Sequence, residues 1–376
     1  MSPVKRVLVV GSGVAGLAAA LATARAGIEV EIAGKPATGR LGQTHVNVAP
    51  NMLRGLMDLG VAEACLHTGF PYVETRHVDL RGGEYFRDAV TPLTGTAGPS
   101  ALGMTHHALC GLLWEAAQGA GAIVRPAACL DRIEEAGDEV SVCFEDGDRR
   151  SYDLVVGADG AQSQLRAHRF DVDGVPREVG QVWWQVQLRR PRTLDTPTIL
   201  VGGFHGFRAA AVPVSKDRAS LLLIEMQGAA PEVPPACRAG WIRDRLKPCS
   251  GVIAEMREQL GGSEPVLVQP VRAGLVPDRW HRGRVLLVGE AAHVIPPQLG
   301  QATAQCIEDA TVLGSLLRNS PALDAMFSEF MRRRYERCRN VYEASLQVAH
   351  WELRPDPAAD IQAMVRRQAL AVSQPA

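Results

Sequence analysis

Near its start the chain reads VLVVGSGVAGLAAALATARAGIEVEIAG, from Val7 to Gly34, and few folds accommodate such a run. Val7 to Val10 form a short apolar strand, Leu17 to Ala26 an alanine-rich helix, and Gly11, Gly13 and Gly16 lie between them. One glycine would close the turn. Three at this spacing allow a tight turn, a close approach of backbone to a pyrophosphate and close packing of helix on strand. The β-α-β unit therefore predicts a parallel sheet with a dinucleotide at the helix N-terminus, where free N–H groups and the positive dipole end meet the ligand. Gly11, Gly13, Val14, Ala15 and Gly16 are the residues expected there.

Two later segments have related grammar. In GRVLLVGEAAHVIPPQLGQATAQCIED, Gly283 to Asp309, Arg284 to Val288 reads as a buried strand that stops on Gly289. Pro296 and Pro297 stiffen the loop that follows, and from Gly300 onward Ile307, Ala310 and Leu313 recur at helical spacing. In DLVVGADGAQSQLR, Asp153 to Arg166, another apolar strand delivers Gly157, Ala158, Asp159 and Gly160 into a second tight turn.

These three segments, in this order and over nearly the whole chain, resemble the single-component FAD-dependent aromatic hydroxylases, the p-hydroxybenzoate hydroxylase-like family. The resemblance implies that Gly11, Gly13 and Gly16 hold the FAD pyrophosphate. It places Asp159 and Gly160 near FAD and the passing NAD(P)H, and Gly289 with Glu290 at the ribityl chain. Pro297, Leu299 and Gly300, followed by Gln301 and Ala302, would line the flavin edge. The chain departs from the family pattern at several of these positions. Gly34 stands where an acid for the adenosine ribose is expected, with Lys35 next to it where arginine is frequent. His106 replaces an arginine, Glu290 an aspartate, and the helix entry reads Gly300-Gln301-Ala302-Thr303-Ala304 instead of G-Q-G-x-N.

Composition supports a sizeable core: 376 residues with 46% apolar content suffice for two packed domains. A formal charge of -1 gives no reason to expect nucleic acid or an anionic membrane as partner. No apolar run reaches the roughly 20 residues of a membrane span, and because Met1 to Arg6 lead into a strand no secretory signal is expected. The eight cysteines are scattered without C-x-x-C or metal spacing, so no metal site is expected and reduced thiols in a cytoplasmic protein are. Cys306, beside the presumed flavin loop, reads as a packing thiol. The basic run Arg332, Arg333, Arg334, Arg337 and Arg339 reads as the solvated face of a C-terminal helix.

The expected fold class is α/β: a Rossmann-like FAD-binding domain, an inserted mainly antiparallel sheet that binds substrate, and a C-terminal helical segment. The cofactor domain is assigned residues 1–71, 100–175 and 275–322, the inserted sheet 72–99 and 176–274, and the helices and tail 323–376. Tyr72 to Phe86 reads as two strands, and Gln181 to Met226 as several, with turns at Gly202-Gly203 and Lys216-Asp217. Within Phe204 to Pro213 alternation separates His205, Phe207, Ala209 and Ala211 from Arg208 and Ala210. Arg208 marks its own face as wetter, so the alanine side is expected to face the pocket and leave room for a flat, bulky molecule. Trp183 and Trp184 point oppositely, and Trp183 is assigned to the cavity. His293 reads as structural. His45 follows the loop Gly39 to Gly42 that should border the flavin ring, which makes it the candidate proton carrier, with Pro297 at the flavin edge.

The function expected from the resemblance is monooxygenation: NAD(P)H reduces the flavin, O2 forms a C4a-hydroperoxide, and an apolar aromatic or polyene-like substrate is hydroxylated or epoxidised. The absence of a second G-x-G-x-x-G in mid-chain argues against a disulfide-reductase type of flavoprotein. Gly34, His106, Glu290, Ala302 and Ala304 motivate a second reading, a non-redox isomerase, cyclase or dehydratase with weak or lost FAD binding. The partners expected are the aromatic or polyene-like small-molecule substrate and O2, with a homodimer compatible with the reading.

Overall fold

The first strand, Arg6–Val10, is the hinge of the architecture, because both neighbours pair with it in parallel: Glu29–Ala33 on one side and Leu154–Gly157 on the other. The computed structural model describes residues 4–34, 44–92, 98–125, 130–170, 172, 176–200, 206–226, 231–262, 264–320 and 322–376. Lys35, the loop Gly39 to Gly42, the Gly202-Gly203 turn and His205 lie outside the described residues.

Four sheets are described. In the parallel one, Ile123–Arg125 extends one edge and Val285–Leu287 the other, beyond which His281–Arg282 pairs antiparallel. Valines and leucines of these strands are buried on both faces, as a helix-covered parallel sheet requires. The helix Val14–Arg25 is buried along its length from Val14 to Thr23, and its alanines let it lie close to the helices Ala302–Asn319 and His106–Gly119.

A second, eight-stranded sheet forms the roof. It is antiparallel except where Thr198–Leu200 runs parallel to Glu74–Val78. Its long central strand Arg177–Arg189 lies between Arg218–Glu225 and Leu267–Leu275. The roof has its own apolar core on one face, where Val182, Trp184, Val186, Phe207, Ala209, Ala211, Leu221 and Leu223 meet the helical segment from Ala239 to Met256. His293–Val294, arriving from the cofactor side, pairs with the roof strand Leu267–Leu275 and ties the two sheets together. The two smaller antiparallel sheets are Leu130–Ala136, Glu139–Phe144, Arg149–Tyr152 and His45–Val48, Ala101–Thr105, Phe70–Tyr72.

The helix Leu323–Leu353 follows, then Ile361–Ser373. Its arginine run is not a solvated face throughout. Arg334 is fully buried and Arg337 largely so, because Glu308 and Asp309 of the Ala302–Asn319 helix present carboxylates toward them. Arg332 and Arg339 remain on the outside, paired within their own helix.

Candidate active site

The glycines of the first turn do different work. A Cβ on Gly11 would lie 2.2 Å from the Ala158 carbonyl oxygen, and one on Gly16 2.0 Å from that of Gly11. Both are needed so that the turn can close against the Leu154–Gly157 strand; Gly11 also adopts φ +112°. Gly13 is different: beyond its chain neighbours, a Cβ there meets no described atom within 4 Å. It stands before the uncapped N-terminus of the Val14–Arg25 helix, which has no side-chain cap and no acid in its first turn. Val14 and Ala15 turn their side chains into the core, leaving backbone N–H groups for a ligand.

Two more turns converge on this point. Gly289 packs so closely on the first helix that a Cβ would approach that of Ala15 to 2.5 Å. Among the described residues, Gly160 (φ +82°) has open space before it, and Asp159 accepts the Leu165 N–H at 3.1 Å through Oδ2 while its Oδ1 has no partner. Arg166 staples the two turns, donating to the carbonyls of Ala161 at 2.6 Å, Glu290 at 3.3 Å and Ala291 at 3.0 Å. Glu290 is solvent-accessible yet deep in the protein; desolvation raises its pKa, against the pull of His293 and the Ala161 N–H.

Behind these turns lies a buried ionic cluster that sequence reasoning missed. The Asp309 carboxylate accepts from the Gly289 N–H at 2.8 Å, from His293 Nε2 at 2.7 Å and from Arg334 Nε at 2.7 Å. Glu308 takes Arg334, Arg337 and Asn51, and Asn51 in turn bonds Gln301 at 3.0 Å. Burial works against charge on Asp309, but His293 and Arg334 outweigh it and hold the carboxyl below its usual range. Burial likewise opposes the His293 imidazolium; the Cys338 sulfur and Asp309 reverse this and push its pKa to about 10. The signal available in sequence was the pair Glu308-Asp309 one helical turn from Gln305, but nothing local pointed to its partner Arg334.

Gln301 is thus a buried bracing group, while Pro297, Leu299, Gly300 and Ala302 remain partly accessible. Pro297–Leu299 forms a single tight turn, and Gly300 leaves it at φ +63°. His106 opens its helix against Cys110, with Nδ1 3.6 Å from Sγ, and burial followed by the neighbouring His107 lowers its pKa.

The roof meets this loop through one face. His45 packs against Trp183, ring centroids 6.0 Å apart. Burial lowers the His45 pKa to about 4, outweighing a hydrogen bond that the ring donates to Gln185, so the ring is neutral at pH 7. The Gln298 amide donates to Gln181 at 2.7 Å and to Glu352 at 3.1 Å. His45 Nδ1, Trp183 Nε1 and Gln298 Oε1 are buried without partners among the described residues.

The pocket face expected from alternation is reversed. Phe207, Ala209 and Ala211 point into the roof's own core together with Trp184, which stacks on Trp241 at 5.8 Å. Arg208 points toward the cofactor side, because Glu352 of the Leu323–Leu353 helix takes its guanidinium at 2.8 Å. Cross-strand register puts Trp183, Ile224 and Arg208 on this same open face.

A family model described as FAD binding domain matches residues 5–320. The chain belongs to that family. It is 24% identical over 357 residues to the putative FAD-dependent monooxygenase YetM of Bacillus subtilis, covering 95% of this chain and 96% of that one. It is 29% identical over 372 residues to the 3-amino-4-hydroxybenzoate 2-monooxygenase PtmB3 of Streptomyces platensis, covering 93% and 89%. The fold matches that of Klebsiella pneumoniae HpxO complexed with FAD and uric acid, with a TM-score of 0.84 at 22% identity over 99% of this chain and 94% of that one. The family assignment favours the redox reading over the non-redox one: the protein is a flavin-dependent monooxygenase using FAD, with NAD(P)H as co-substrate. No described helix is long and apolar enough to cross a membrane.

Proposed function

We propose that an aromatic substrate lies between the open face of the roof and the Pro297–Gly300 turn, and is oxygenated there. The observation that carries this reading is the set of orphaned polar atoms His45 Nδ1, Trp183 Nε1 and Gln298 Oε1, contributed by three separate segments of this boundary. Buried polar groups without partners are expensive, so their concentration at one place is the mark of a ligand surface.

The cradle residues fit FAD. Gly13 and Gly160 have the space a pyrophosphate and its neighbours need, the first helix offers N–H groups, and Glu290 is open to accept from a hydroxyl. Backbone contacts from Gly11 to Gly16, Asp159 with Gly160, Gly289 with Glu290, and the entry of the Ala302–Asn319 helix would hold it. When bound, FAD supplies the redox and oxygen chemistry. The protein's own groups orient and exclude water. Trp183 from the roof and Pro297 from the loop would bound the substrate space, and His45, neutral at pH 7, would accept a hydrogen bond from a substrate hydroxyl at Nδ1.

Replacing His45 by Phe tests this. The variant should retain FAD, since the glycine turns are untouched, while product formed per NAD(P)H consumed falls by roughly a hundredfold or more, within the usual range for a lost acid–base group. Unchanged coupling would remove His45 from the mechanism.

A further inference from the structure

The open face of the roof is electrically unusual, and the charge arrangement speaks to which aromatic molecules fit there; the inference rests on the substrate site proposed above. Among the described side chains of this face, Arg208 is the cation linked to the cofactor loop, and it is already engaged. Its Nη1 donates to Glu352 Oε1 at 2.8 Å, and Glu352 Oε2 accepts from Gln181 at 2.9 Å and from Gln298 at 3.1 Å. Glu352 is nearly buried, with 7% of its side chain exposed, so the carboxylate cannot be displaced into water without breaking all three bonds. The next imidazole along the face, His77, lies 3.3 Å from Asp88.

Among the described side chains, what remains for a ligand is neutral hydrogen-bonding capacity. Trp183 Nε1 offers a donor, Gln298 Oε1 an acceptor, and His45 Nδ1 has no partner among the described residues. An aromatic carboxylate would have to share Arg208 with Glu352, bringing two anions together in a poorly solvated site where like charges repel strongly. A neutral ring with both donor and acceptor edges meets no such opposition.

We propose that this enzyme selects neutral planar phenols or heteroaromatics and rejects aromatic carboxylates, with the Arg208–Glu352 ion pair as the specificity-determining element. Glu352 acts through Arg208 and Gln298 and is a positioning residue.

The isosteric probes 4-hydroxybenzamide and 4-hydroxybenzoate differ in charge and little else. Their affinities for the FAD-loaded protein are read by quenching of intrinsic tryptophan fluorescence, and separately by calorimetry. The wild type is expected to bind the amide at least tenfold more tightly than the benzoate. Glu352→Gln keeps the shape and frees the guanidinium, so benzoate affinity should rise at least tenfold relative to the amide, and adding Arg208→Gln should cancel the gain. Arg208→Gln alone, made in case Glu352→Gln fails to fold, should leave benzoate binding as weak as in the wild type. Equal or tighter benzoate binding by the wild type, or a tenfold loss of benzoate binding in Arg208→Gln, overturns the proposal while leaving the site in place. If neither probe binds to fully flavinylated wild type, the site itself is wrong and the proposal falls with it.

Discussion

The cradle and the roof shape their ligand surfaces by opposite means. In the cradle the surface is made by side chains that are missing: Gly11 and Gly16 let backbone segments touch, and Gly13 leaves the space in front of a helix end. In the roof it is made by side chains that are present but already spent, Arg208 on Glu352 and Gln298 on Gln181. On the proposed assignment, the cradle recognises its cofactor through backbone and is indifferent to most side-chain changes nearby. The roof surface depends on pairings between residues as far as 171 positions apart, so one substitution on the C-terminal helix can change what it accepts.

Between the two lies the ionic cluster around Asp309, and removing its centre should have the largest effect. Asp309→Ala leaves Arg334 and His293 buried without their carboxylate, and breaking a buried pair in this way costs about 3–5 kcal/mol. Urea unfolding should show a loss of that size, with flavin content falling because Gly289 loses its anchor. A loss below about 1 kcal/mol, on the scale of an exposed ion pair, would mean that the cluster does not hold the cradle.

The roof faces can be separated by a matched pair. Ala209→Phe overfills the closed core beside Trp184 and should destabilise the fold by about 1–3 kcal/mol. Ala210→Phe, one residue on and facing the cofactor side, should leave stability close to wild type and weaken aromatic ligand binding instead. Thermal melts and fluorescence titrations on both variants decide which face is which, and the reverse pattern would restore the orientation expected from alternation.

The contrast explains what was legible in the sequence. Gly11, Gly13 and Gly16 announce a dinucleotide turn because the chemistry is local: strand, turn and helix are adjacent and each glycine has a backbone reason. The face of Phe207 to Pro213 was misread because alternation gives two faces without saying which is inside. Arg208 suggested solvent, but its charge is satisfied by a glutamate 144 residues later, which no local pattern reports. Arg334 was placed on the surface for the same reason. Burial of a charge is decided by partners brought by tertiary structure, here Glu308 and Asp309.

Smaller effects follow from the two shifted histidines, which act at opposite ends of the pH scale. His45 is held at about 4, below its ordinary 6.5, so the fold favours the neutral ring. Its contribution to stability is present above pH 6.5 and is lost as pH falls toward 4. His293 is raised to about 10, so the stability from its charged form is present below 6.5 and is lost as pH rises through 10. Melting temperatures across this range should bend at both ends. His45→Gln should flatten the acid limb and His293→Gln the alkaline one, and limbs unchanged in these variants would assign the titrations to other groups.

The central claim, that the first turn holds FAD through open space and backbone, is tested most directly by Gly13→Val. Gly13 has φ -78° and ψ -177°, which valine adopts freely, and beyond its chain neighbours no described atom lies within 4 Å of the new Cβ. As an N-cap change the substitution should cost the apoprotein less than about 1 kcal/mol. Titrating FAD into wild type and variant, with apoprotein melts measured alongside, should show saturable flavin binding in the wild type and none in a variant that melts within a few degrees of it. Full FAD occupancy in a normally folded Gly13→Val protein would contradict the account.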